Sequence, residues 1–149
     1  MRAVITRVSS ASVSVGGSVI SSIGTGFLVL LGISVDDTEN DARKLAKKIC
    51  SLRVFSDAEG KLNRSLEDAG GELLVVSNFT LCASCVRGRR PDFFGAAGYG
   101  AALPLYERFL EYCREEGFEP RTGEFGGDMA VESVNDGPVT LVIESGQLR

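Results

Sequence analysis

Apolar and polar residues alternate from Arg2 to Val15, with Val13 and Val15 on one face, and this period of two predicts a strand. Gly16-Gly17 offers a tight turn and Val19 to Ile23 returns, so Ser12 to Ile23 reads as a hairpin. Phe27-Leu28-Val29-Leu30-Leu31-Gly32-Ile33 is a continuous apolar run bounded by glycine, which predicts a strand buried on both faces. An N-cap signal follows at Asp37-Thr38, with Glu39 and Asp41 suited to a helix start. Ala42, Leu45, Ala46 and Ile49 then form the stripe of an amphipathic helix, and Arg43, Lys44, Lys47 and Lys48 on its other faces read as a solvated surface.

Arg53 to Phe55 is a short strand candidate, Asp57 to Gly60 a turn, and Glu72 to Thr80 a second apolar strand opened by Gly70-Gly71. Ala83 to Gly100 lacks periodicity and reads as a glycine- and arginine-bearing loop. A second helix is predicted from about Leu103 to Glu116, where Tyr106, Phe109, Leu110 and Cys113 repeat the helical stripe, Pro104 falls in the first turn and Gly117 closes the element. Met129 to Val134 and Val139 to Glu144 are two further strands flanking Asn135-Asp136-Gly137-Pro138. About seven strands and two amphipathic helices predict an α+β fold: a single domain over 1–149, with a mostly antiparallel or mixed β-sheet or barrel-like layer. Helices too few to cross over between all strands argue against a doubly wound parallel sheet.

Composition narrows the chemistry. At 149 residues, 44% apolar and 24% charged, the chain has the make-up of one globular domain. It contains no histidine, which excludes Ser-His-Asp triads, Cys-His dyads and His-ligated zinc. Sixteen basic against twenty acidic residues leave a net charge of −4, which argues against a broad duplex-coating surface but leaves room for a local basic patch. No apolar run is long enough to cross a bilayer, and the N-terminus, with Arg2 and Arg7, lacks a signal-peptide core, so a cytoplasmic protein without membrane contact is expected.

Of four cysteines, Cys50 and Cys113 sit on the helical stripes as small core residues. Cys82-Ala83-Ser84-Cys85 lacks the two further ligands a structural zinc requires, so neither a metal nor any cofactor is expected. Arg87-Gly88-Arg89-Arg90-Pro91, followed by Asp92-Phe93-Phe94, is the densest basic patch; it suits phosphate and stacked bases, or is an arginine loop over two core phenylalanines. Ser77-Asn78-Phe79-Thr80-Leu81 places polar residues at the end of a buried strand, where freed backbone N–H groups can face an oxyanion or the strand simply runs out into a loop. Asn135-Asp136-Gly137-Pro138-Val139-Thr140 reads as a hairpin turn; a cis bond before Pro138 would turn neighbouring carbonyls to one side and let them hold an ammonium.

These motifs, together with Met1 to Val8 and the Gly123-Glu124-Phe125-Gly126-Gly127-Asp128-Met129 stretch, occur in the order and spacing of the D-aminoacyl-tRNA deacylases, also called the D-tyrosyl-tRNA deacylase family, which the chain resembles over essentially its full length. The resemblance implies a homodimer that hydrolyses the ester between a D-amino acid, or glycine, and the 3′ end of tRNA. It implies that Gly137 and Pro138 match a Gly-cisPro motif that reaches into the partner's pocket, holds the substrate's α-amino group and excludes L-amino acids. It places Ser77, Asn78, Phe79 and Thr80 at the pocket floor, with the Phe79 backbone N–H toward the oxyanion, and Arg7 as support for the Gly-Pro loop. Attack would be assisted by the terminal ribose 2′-OH, or else Thr80 would be the nucleophile. Arg87, Arg89 and Arg90 are expected to contact the tRNA acceptor end or flank the pocket. Asn78 departs from the family's usual Gln and shortens that side chain's reach by one methylene. A non-catalytic module for RNA ends or amino compounds, or a relative with altered amino-acid preference, are the competing readings.

Overall fold

The computed structural model describes residues 1–149. Its spine is β1 (Arg2–Val15), which is long enough to pair with three other strands. Along one edge it meets β3 (Gly26–Gly32) through Arg2 to Val8 and β2 (Ser18–Ile23) through Ala11 to Val15; along the other it meets β8 (Ala130–Glu144), all antiparallel. The β1–β2 turn is the predicted Gly16-Gly17 pair, with φ of +57° and +82°, left-handed values that suit glycine.

β6 (Glu72–Ser77) lies parallel to β3, and β7 (Arg121–Thr122) parallel to β6. The sheet is therefore mixed, and the two helices supply its two parallel crossovers. α1 (Glu39–Cys50) lies between β3 and β6, α2 (Tyr99–Glu115) between β6 and β7. A small hairpin of β4 (Phe55–Ser56) and β5 (Leu62–Arg64) precedes β6. Ser21 of β2 donates to the Thr122 carbonyl at 2.8 Å, so the far edge of the sheet curls back toward β2 in a barrel-like manner.

The predicted stripes are the buried ones. Ala42, Leu45, Ala46 and Ile49 of α1 pack with Tyr106, Phe109, Leu110 and Cys113 of α2 in a core that also takes Phe27, Val29 and Leu31 of β3 and Leu73 and Val75 of β6. The alternate residues Leu28, Leu74 and Val76 join Val8, Ala11 and Val13 in a second core on the opposite face. β3 and β6 are thus buried on both sides, as their unbroken apolar runs imply.

Four expectations need correction. α2 begins at Tyr99, not Leu103, because Gly98 serves as N-cap and Ala101 and Ala102 propagate the helix; Pro104 accordingly lies in its second turn, not its first. The Glu72 strand stops at Ser77, where Phe79–Cys82 turns into a short 3-10 helix. The two C-terminal strands are one: β8 pairs with β1 on both sides of Asn135–Pro138 in the same direction, so that segment is a loop thrown out of a strand and not a hairpin turn. The short strand predicted at Arg53 to Phe55 forms as Phe55–Ser56.

Gly26 marks where sheet packing is tightest: a Cβ there would lie 2.0 Å from the Glu72 carbonyl oxygen of the paired strand. Gly100, exposed in α2, would meet nothing within 4 Å. Gly26→Ala is expected to cost about 3 kcal/mol, from overpacking against backbone that must shift. Gly100→Ala should stabilise by roughly 0.5–1 kcal/mol through helix propensity. Thermal unfolding of the two variants checks the opposite signs.

Candidate active site

A cavity of about 760 Å³ opens on the sheet face opposite α1 and is closed at one end by the first turn of α2. Its floor comes from Thr6 of β1, Leu28 and Leu30 of β3, and Val76, Ser77, Asn78, Phe79 and Thr80 at the end of β6; its far wall comes from Phe125 to Met129 and from Val131 and Ser133 of β8. The four residues expected at the pocket floor are together there.

Local chemistry explains the floor. Asn78 N–H makes the last ladder bond, to Leu31 O at 2.8 Å, and Leu81 N–H closes the turn onto Asn78 O. The amides of Phe79 and Thr80 open that turn and donate to no protein acceptor, as the first N–H groups of any helical turn must. The Thr80 hydroxyl donates to Asn78 Oδ1, so its proton is engaged by a carboxamide, which is not a base. Gly32 permits the arrangement: a Cβ there would stand 2.9 Å from Leu81 Cβ and 3.1 Å from Asn78 O.

Among the cavity's lining residues the only carboxylate is Asp128, and no lysine or arginine is present. Behind it, Tyr106 donates its hydroxyl to Val75 O at 2.9 Å, and burial pushes the phenol above its ordinary range, so it stays protonated. The site offers hydroxyls, a carboxamide and free amides, all suited to orienting a substrate and steadying negative charge.

Arg7, Gly137 and Pro138 lie outside this cavity. Between the pairs Thr6↔Thr140 and Val8↔Asn135 the register breaks, and the extra residues of β8 stand out as an exposed loop containing a cis Gly137–Pro138 bond. Arg7, only 8% exposed, lies beneath it. Its Nε donates to Asp136 O at 2.9 Å and its Nη1 to Val54 O at 2.6 Å, with the Asp136 carboxylate 3.7 Å from Nε. Asn135 completes the tether, donating from Nδ2 to Thr140 Oγ1 at 2.9 Å and accepting from Val139 N–H at 3.1 Å. Gly137 sits at φ +138°, where a Cβ would meet Val139 N at 2.8 Å and an Arg7 guanidinium nitrogen at 3.1 Å.

Arg87, Arg89 and Arg90 are exposed and outside the cavity lining, in a loop closed by reciprocal Ser84–Asp92 backbone bonds of 2.9 Å. Phe93 of that loop packs edge-on to Phe79, ring centroids 5.0 Å apart, so the basic segment is joined to the cavity rim. The four cysteines are free thiols; Cys50 and Cys113 are buried between the helices. Sequence reasoning assigned no role to Tyr99, Phe125 or Gly126. Phe125 and Gly126 sit inside the glycine-rich stretch named above, whose lack of periodicity was the available signal.

Fold and cavity together define a small α+β protein with an open pocket built without histidine. The chain belongs to the family described as D-Tyr-tRNA(Tyr) deacylase, whose model matches residues 4–144. It is an enzyme of the D-aminoacyl-tRNA deacylase class. It is 56% identical over 147 residues to a D-aminoacyl-tRNA deacylase of Thermus aquaticus, covering 99% of this chain and 97% of that one. The corresponding protein of Clostridium novyi is 53% identical over 145 residues, 97% of each. Among solved structures, one titled c-Myc DNA Unwinding Element Binding Protein superposes with TM-score 0.91 at 44% identity, covering 97% of this chain and 98% of that one. A probable eukaryotic D-amino acid tRNA deacylase shares the fold, at TM-score 0.78, 18% identity and coverages of 96% and 98%.

Arg7 alone joins the Gly-Pro loop to the segment before β4. Arg7→Lys removes the fork that reaches both carbonyls, and is expected to cost about 1–3 kcal/mol in urea unfolding and to speed amide exchange at Val139. Unchanged stability would show that the two bonds carry no weight.

Proposed function

We propose that the chain removes D-amino acids, and glycine, from the 3′ end of tRNA as a homodimer, with each subunit's Gly137-Pro138 loop completing the other's pocket. The observation that supports this reading is the division of the site: an open cavity floored by free amides, and an exposed Gly137-Pro138 loop held outside it by Arg7. In the dimer the Gly137 and Pro138 carbonyls accept hydrogen bonds from the substrate's α-ammonium. A D side chain then points to open space, whereas an L side chain is driven against main chain that Arg7 keeps from moving.

Attack on the ester carbonyl is by water, and the terminal ribose 2′-OH assists its deprotonation. The oxyanion that forms is steadied by the Phe79 and Thr80 amides. As the tetrahedral intermediate collapses, the bond from the carbonyl carbon to the ribose oxygen breaks, that oxygen takes up a proton, and free amino acid and tRNA leave. Thr80 is a pocket residue in this scheme, because its proton already goes to the Asn78 carboxamide and not to a base. Ser77 and Asn78 shape the floor, and Arg87, Arg89 and Arg90 contact the phosphates of the acceptor end. A tRNA substrate puts this work in the cytoplasm.

Deacylation of D-Tyr-tRNA with L-Tyr-tRNA spared is the expected result of a release assay. Binding without turnover would leave only an RNA-end module, and equal cleavage of both enantiomers would remove the chiral role of the loop. Thr80→Ala should retain activity within about tenfold, while a substrate ending in 2′-deoxyadenosine should react at least about a hundredfold more slowly, the usual share of acid–base assistance. The opposite pattern would make Thr80 the nucleophile. In sedimentation the chain should run at twice its 15.8 kDa mass; a monomer under assay conditions would exclude the shared site.

A further inference from the structure

Phe94 has no role in the scheme above, and nothing within the subunit accounts for its position. It is 89% exposed, the most exposed aromatic of the chain's large hydrophobics, while its neighbour Phe93 turns inward against Phe79. The backbone that presents it is fixed on both sides. Upstream, Ser84 and Asp92 exchange two bonds of 2.9 Å; downstream, Ala96 N–H donates to Phe93 O at 2.9 Å and Val35 N–H to Gly95 O at 3.1 Å, tying the segment to the chain that follows β3. Arg87, Arg89 and Arg90 share this loop, and none of them forms a salt bridge.

An exposed flat ring held by anchored backbone, next to three uncommitted guanidinium groups, suits a ligand with π faces and regularly spaced negative charge. Single-stranded nucleic acid is such a ligand. The loop is also continuous with the cavity through the Phe93–Phe79 pair, so a strand whose last nucleoside enters the cavity would pass Phe94 with its preceding nucleotides.

We propose that Phe94 is a stacking platform for the unpaired nucleotide preceding the terminal nucleoside of the RNA substrate, with the arginine loop on the adjoining phosphates. This rests on the deacylase reading and adds to it a contact to RNA beyond the esterified nucleoside.

The experiment compares two esters: D-Tyr-tRNA and D-tyrosyl-adenosine, which lacks every preceding nucleotide. Phe94→Ala should raise KM for D-Tyr-tRNA about tenfold, in keeping with the loss of one stacked base, and leave D-tyrosyl-adenosine turnover unchanged. Phe94→Tyr should restore the wild-type KM. An abasic penultimate position in the tRNA should weaken the wild type equally and Phe94→Ala no further. The triple Arg87→Ala, Arg89→Ala, Arg90→Ala variant should raise KM for the tRNA and flatten its salt dependence.

Equal loss on both esters, no loss on either, or the same loss from Val86→Ala, an exposed apolar residue of this loop with no ring, would overturn the stacking role. So would dissociation of Phe94→Ala to monomers, which would make Phe94 a subunit contact. Wild-type protein inert on both esters would instead remove the deacylase reading on which the proposal stands.

Discussion

Two neighbouring register shifts in the β1–β8 ladder organise this molecule. β1 must serve two cores, because Ala3 and Ile5 face the helices while Val8, Ala11 and Val13 face the other way. A strict period of two cannot do this, since odd positions would all share a face. The register shift in the β1–β8 ladder between Val8 and Ser10, where two steps on β1 match one on β8, changes the parity and turns the strand over. The neighbouring shift, between Thr6 and Val8, throws residues out of β8 and makes the Gly-Pro loop. Thr6 and Arg7 lie at the shift that makes the loop and point to opposite sides, one into the cavity and one under the loop. Pocket floor and loop tether are thus consecutive residues of one strand.

That geometry gives a chain without histidine a cavity lined by positioned polar groups. Side-chain bases are tunable but must be positioned by other side chains; amides at the end of a β-strand are positioned by the sheet itself. The free Phe79 and Thr80 N–H groups owe their direction to the Asn78–Leu31 ladder bond, and Gly32 leaves room for the turn that presents them. Asn78, in accepting the Thr80 hydroxyl proton, ties one of the pocket's hydroxyls to its own floor. A longer glutamine at this position would have to fold back to make the same bond, so the shorter carboxamide is compatible with the floor and not a defect in it.

Much of this was legible in the sequence, and where it was not the reason is physical. Both helical stripes and the doubly buried β3 and β6 follow from periodicity, because burial of those faces is what selects apolar residues. The four floor residues were legible from polar positions closing an apolar run, and from the resemblance. What could not be read was anything set by pairing between distant segments. Asn135-Asp136-Gly137-Pro138 has hairpin chemistry locally, and only the shared partner β1 shows that the strand continues through it. The start of α2 was obscured by Gly98, Gly100 and Pro104, each a weak helix residue, which tertiary packing of Ala102 and Tyr106 overrides. Phe125 and Tyr99 enter the cavity wall through their own edge-on contact at 5.3 Å, which no local pattern encodes.

The charge distribution bears on how an acidic protein can engage RNA at all. Arg43 and Arg108 are occupied at the α1–α2 seam, their guanidinium carbons 4.9 and 4.8 Å from the Tyr112 ring centroid. Glu39 accepts from Tyr112 and Arg108, and the hydrogen bond from Tyr112 is the leading cause that holds its carboxyl below the usual range. Arg7 and Arg2 are likewise committed, to loop carbonyls and to Glu144 and Leu81 O. The lysines of α1 lie on the helix layer, across the sheet from the cavity. Three arginines without an ion pair stand together in the loop from Arg87 to Arg90, which Phe93 joins to the cavity rim. Long-range attraction to nucleic acid would be weak, and a few short-range contacts near the esterified end would decide affinity.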